Sequence, residues 1–155
     1  MKKRGLGIMG LLAIGVVLVL CSCGGGGSSG KHLTKEQFTV KANALCASFN
    51  AEVNKAGSPK TTAEVVSYFN KLLPLDEKLV ADFGKLNPPA SEEADVNRIV
   101  TLGKDQVTRA KALIAAIEKK DLTKAKTLVA EGNTNSTESK SLFNKLGIKE
   151  CAKSS

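Results

Sequence analysis

Five polar side chains fall where helical periodicity would otherwise place apolar ones: Asn43, Asp76, Gln106, Ser136 and Ser139. One carboxylate, two amides and two hydroxyls can hold a small polar ligand by charge and hydrogen bonds. They are poor material for catalysis, since a hydrolase needs a nucleophile beside a base, or two opposed carboxylates. The chain has one histidine, His32, close to its N-terminal third's low-complexity stretch. Glu92, Glu93 and Asp95 stand together, but they follow Asn87-Pro88-Pro89 at the start of a helical pattern, where the helix dipole favours acids. With no histidine cluster and no aspartate-rich calcium loop, neither a metal nor a cofactor is expected. The residues point away from an enzyme.

The elements that must position these five residues are helices throughout. Thr34 with Gln37 and Thr61 with Glu64 match the capping box, and Ser91 and Asp121 are candidate N-caps. Gly57-Ser58-Pro59 and Asn87-Pro88-Pro89 interrupt the pattern, and Gly147 fits a left-handed C-terminal cap with Ile148 packed behind it. Four helices are predicted, near 34–56, 62–87, 91–119 and 121–146. Apolar steps of three and four support each of them, such as Phe38, Ala42, Leu45, Phe49 and Val53 in the first. Short connections favour antiparallel neighbours, so the expected fold is all-α, an antiparallel four-helix bundle with its second helix kinked at Pro74.

In such a bundle the middle of helix three faces the middle of helix four. Gly103 and Gln106 then lie level with Gly132, Ser136 and Ser139, and the same register brings Asp76 and Asn43 toward that layer. Two readings are open. The small residues allow close helix packing, with serine hydroxyls satisfying Gln106 and Asp76 facing water. Alternatively the layer is a small hydrophilic pocket, of the kind that bundles build between facing helices.

The N-terminus supplies an address. Lys2, Lys3 and Arg4 precede an uncharged Leu/Val/Gly-rich run that ends in Leu20-Cys21-Ser22-Cys23. This order of basic block, apolar core and small residue before a cysteine resembles a bacterial lipoprotein signal peptide. The resemblance implies cleavage after Ser22, with a lipid carried on the thiol of Cys23; Cys21 is the weaker candidate because Leu20 is bulky. An uncleaved membrane anchor is the alternative, since the run is about long enough to span a bilayer. Either way the basic residues stay inside, and everything from Gly24 onward lies on the extracytoplasmic face of the cell membrane. Residues 1–22 are thus read as signal, 23–33 as lipidated cysteine and Gly/Ser tether, and 34–153 as the helical domain.

On that reading Cys46 and Cys151 are the two cysteines left over. Outside the cytoplasm a disulfide between them is expected, with a reactive thiol as the competing reading. Ala42-Asn43-Ala44-Leu45-Cys46, the Asn-Pro-Pro break at 87–89 and Leu146-Gly147-Ile148 with Cys151 close behind also resemble small helical lipoproteins of actinobacterial type. That resemblance implies a Cys46–Cys151 bridge across a helical bundle and carries no activity with it. Cys46 lies about 18 Å along helix one from Thr34, so the tail must fold back after Gly147, or helix one must overhang, for the bridge to form.

Charge narrows the partners. The full chain carries +8; without Lys2, Lys3 and Arg4 it has 20 basic and 15 acidic residues, a net of +5. The lysines are scattered, Trp is absent and Tyr68 is the one tyrosine, so the stacking platforms of nucleic-acid binders are missing. The sequence therefore supports a membrane-tethered, non-enzymatic binding module for an envelope protein or polymer. A small-ligand-binding lipoprotein using the mid-bundle layer is the alternative, and no residue encodes an oligomeric state.

Overall fold

A computed structural model describes residues 31–153. The signal segment, Cys21, Cys23 and residues 24–30 of the tether lie outside the described residues. Four long helices and a short one follow in order: α1 (Lys35–Ala56), α2 (Thr62–Gly84), α3 (Glu93–Glu118), α4 (Leu122–Leu146) and α5 (Lys149–Ala152). There is no strand among the described residues, so the all-helical class is as the sequence predicts.

Local chemistry explains most of the boundaries. Thr34 and Gln37 form a complete capping box at the start of α1. Thr61 accepts from the amide of Glu64, but the Glu64 carboxylate accepts from Lys60 rather than Thr61, so this cap is an open version of the same device. Asp121 caps α4 through the Lys124 amide. Ser91 does not cap α3: Ala90–Glu92 form a 3-10 turn that runs straight into it. The predicted second helix extends to residue 87, whereas α2 stops at Gly84, four residues before Pro88. The residue before a proline is pushed toward extended backbone, which shortens the helix ahead of Pro88.

α1 packs on α2, α2 on α3 and α3 on α4, while α5 lies against both α1 and α4. The best-buried cluster is gathered at one end, where Phe38, Ala42 and Cys46 of α1 meet Phe83 of α2, Val96 and Ile99 of α3, and Leu146 of α4. Ile148, wholly buried, completes it. Ion pairs fix the helices at this end: Lys35 with Glu92 at 2.7 Å, and Lys145 with Asp95 at 2.7 Å. A two-pronged contact of Arg98 with Glu138 adds to the α3–α4 register. The acids at the start of α3 therefore tie it to α1 and α4. The tether also ends here, because His32 bonds the carbonyl of Pro88 and the Leu33 amide donates to Asn87.

The fold-back required for the bridge is present. Gly147 adopts φ 74° and ψ 18°, and the Ile148 amide donates back to Phe143 at 2.8 Å, which closes α4 and reverses the chain. One turn of helix, α5, then carries Cys151 to Cys46, with their Cα atoms 5.1 Å apart and the disulfide formed. Asn43 holds the same reversal in place: its amide donates to the carbonyls of Thr39 and Gly147, and its oxygen accepts from the Glu150 amide at 2.8 Å. Asn50 donates to the Glu150 carbonyl at 2.9 Å. α5 is not predicted from the sequence, because four residues carry too little periodicity to register.

α2 and α3 approach most closely at Gly103, where an added Cβ would sit 2.6 Å from Cγ2 of Val80. Valine in a helix has essentially one side-chain rotamer, so it cannot swing away. Gly103→Ala is therefore expected to destabilise by about 1–3 kcal/mol from overpacking, outweighing the gain of about 1 kcal/mol in helix propensity. Urea unfolding of Gly103→Ala, alone and with Val80→Ala, checks this: the second change should restore stability, and a stabilised single variant would contradict the contact.

Candidate functional site

Below the buried end the interior does not close. A cavity of about 230 Å³, partly open to solvent, lies between all five helices. Its walls are apolar: Phe49 from α1, Leu79 and Phe83 from α2, Ile99 and Leu102 from α3, and Phe143 from α4. The disulfide itself contributes, because Cys46 and Cys151 both line the space. Into these walls are set Asp76, Gln106, Asn135, Ser136 and Ser139.

Four of the five polar residues singled out in the sequence thus converge on one cavity. Asp76, Ser136 and Ser139 come from stripes with apolar neighbours, so helix geometry turns them inward with those neighbours. The small side chains of Gly103, Ser136 and Ser139 leave the room. Asn43 does not belong to the set: it lies beside α5 and fastens the chain reversal, a role fixed by its three hydrogen bonds. Gln106 departs from expectation in a different way. It is exposed rather than buried, and stands at the margin of the cavity. Asn135 also faces the cavity beside Ser136; it lies three residues after Gly132 and four before Ser139, so the same helical spacing carries a signal for it that the four-helix reading passed over.

The close-packing reading required the serine hydroxyls to satisfy Gln106. Among the described residues no hydrogen bond joins them, and none involves the side chain of Asp76. Asp76 is half-buried, and burial pushes its carboxyl up to about 6. Among the described residues it is the one ionisable side chain lining this cavity. A half-desolvated carboxylate with no ion partner favours a cationic or hydrogen-bond-donating group brought against it. The arrangement offers one negative charge, two amides and two hydroxyls at one level, with apolar surface around them. Such a set can hold a ligand by charge and hydrogen bonds, and among the described residues no second carboxylate lines the cavity beside Asp76.

The acids at the start of α3 are accounted for otherwise. Glu92 and Asp95 serve the ion pairs described above, and Glu93 is exposed at the first turn. Among the described residues no three His, Cys, Asp or Glu side chains group as metal ligands, and no helix is long and apolar enough to cross a membrane.

The raised carboxyl has a thermodynamic signature. Between about pH 4 and pH 6 the folded chain keeps a proton on Asp76 that the unfolded chain has released, so stability falls as pH rises through this window. Asp76→Asn lacks the proton and hence the slope. Its stability relative to wild type should therefore increase from pH 4 to pH 7 in parallel urea titrations, and parallel curves would show that Asp76 is not desolvated. The chain matches no protein-family model, no curated protein and no solved structure, so the cavity is interpreted from its geometry alone.

Proposed function

We propose that this chain is a lipid-anchored, extracytoplasmic binding protein without enzymatic activity, and that it captures a small ligand in the cavity around Asp76. The observation that carries the reading is the convergence of an unpartnered, half-buried carboxylate with Ser136 and Ser139 inside an apolar enclosure, with Gln106 at its margin. Of the two functions open from the sequence, the interaction module for an envelope partner has no such residue set. The ligand-binding alternative does, and is preferred.

The ligand class follows from the lining. With Asp76 the one charged side chain lining the cavity among the described residues, an amine or another cationic donor is favoured over an anion, and the apolar walls favour a molecule with an apolar body. The helices are read as an up-and-down antiparallel bundle in which α5 and the disulfide plug one end, with α2 bent at Pro74, whose missing amide removes one bond. The anchor rests on Ser22-Cys23 and the basic block at Lys2, Lys3 and Arg4. The glycine-rich segment after Cys23 would keep the domain about 17 Å from the lipid if it behaves as a flexible chain.

Two experiments test the two halves of this reading. For the anchor, wild-type protein should partition into detergent and Cys23→Ala into water; lipidation persisting in Cys23→Ala would place the modification elsewhere. For the site, thermal-shift measurements with a panel of small organic amines, carboxylates and polyols should single out amines. Their effect should vanish in Asp76→Asn and weaken in Gln106→Leu, two changes that leave the buried core intact. Amine binding that is indifferent to Asp76→Asn would refute the site.

A further inference from the structure

A second, wider opening lies further along the same helices, at the end opposite the tether. It measures about 480 Å³ and is lined by Val65 and Phe69 of α2, Leu113 and Ile117 of α3, and Leu122 and Val129 of α4. Leu122 is 66% exposed and Val129 48%, the two largest apolar exposures on α4. Among the described residues, Lys126 is the only ionisable one lining it.

The two spaces share one seam. Phe69 and Asp76, Gln106 and Leu113, and Val129 and Ser136 are each seven residues apart, with the first or last of each pair in the groove and the other in the cavity. Seven residues are two helical turns, so each pair lies on one helix face about 10 Å apart. Three helices therefore carry the polar cavity and the apolar groove end to end. Gly132 stands on α4 between Val129 and Ser136, and a Cβ there would touch Gln106 and Arg109. α1 joins the cavity through Cys46 and Phe49 but contributes nothing to the groove.

The geometry points to a single-chain cationic amphiphile as the ligand, its amine held at Asp76 and its aliphatic chain lying along the groove toward Ile117 and Leu122. This rests on the cavity being a binding site, and adds the tail. From Gln106 to Ile117 is 11 residues, or about 16 Å of helix, a run suited to one extended alkyl chain. A protein helix fits less well, because at a diameter of about 10 Å each of its turns fills about 400 Å³ and the groove would accept little more than one. The groove, at about 480 Å³, lies within the roughly 300–1,000 Å³ range of small-molecule sites, and the 230 Å³ cavity reaches that range only together with it. An alkyl chain would also remove from water the apolar surface that Leu122 and Val129 now expose.

The test uses the mature lipid-anchored protein in phospholipid nanodiscs and a tetradecylamine carrying a photoactivatable diazirine on its chain. Labelling should map to peptides of α3 and α4 that hold Leu113 and Val129. Competition by hexylamine, decylamine and dodecylamine, corrected for partition into empty nanodiscs, should strengthen about threefold to fourfold per methylene, and dodecanoate should compete at least tenfold more weakly than dodecylamine. Val129→Gln and Leu122→Gln change exposed side chains and should flatten the chain-length dependence while leaving hexylamine competition in place. If hexylamine binds through Asp76 and longer chains gain nothing, the tail is overturned while the cavity stands; if no amine competes, both fail. Val129→Gln converting a dimer into a monomer would show that a second copy, not an alkyl chain, covers the groove.

Discussion

The covalent tie between Cys46 and Cys151 sets the spacing on which the rest of the structure depends. It joins the middle of α1 to a one-turn helix that has reversed out of α4, so that α5 sits between the two long helices. Closing a loop of separation 105 removes unfolded-state freedom worth on the order of 4–5 kcal/mol. The bonds from Asn43 and Asn50 to the 147–150 backbone give the same tie a polar component that survives only if the reversal is kept. The best-buried residues surround this clasp. Ile148 fills the space that the left-handed cap at Gly147 directs it into, and Phe38, Phe83 and Leu146 close around it.

The interior below the clasp follows from what the sequence withholds. Where Phe38 and Leu146 supply bulk at the tethered end, Gly103, Ser136 and Ser139 supply almost none at the next level. Helices held by large side chains at one end cannot collapse onto small ones a few turns away. The space that remains is lined on one side by the disulfide, so the element that stabilises the array also forms a wall of the candidate site. Asp76 stands there without an ion partner among the described residues, at a cost in stability set by its partial burial.

The sequence made the helical class, four of the five caps and the convergence of Asp76, Gln106, Ser136 and Ser139 legible, because each depends on local residue chemistry or on steps of three and four along one helix. What depends on the chain leaving a helix was harder. Asn43 sits on the inward stripe of α1, and nothing in its spacing distinguishes a residue that faces a pocket from one that grips a returning backbone. Ser91 has the right chemistry for an N-cap, but Pro88-Pro89 leads into a 3-10 turn that already starts at Ala90. The exposure of Leu122 and Val129 was invisible for a third reason: an apolar stripe has the same pattern whether or not another helix covers it.

The most direct measurement is amide hydrogen exchange on the mature protein before and after reduction of the disulfide. Release of the clasp should raise exchange in α5, around Gly147 and in the α1 segment from Phe38 to Asn50, and at the cavity-facing positions near Ser136 and Ser139. The α2–α3 pair, which packs through Val80 and Gly103, should keep its protection. Unchanged exchange in α1 and α4 on reduction would show that the Cys46–Cys151 tie does not set their spacing, and would contradict the account.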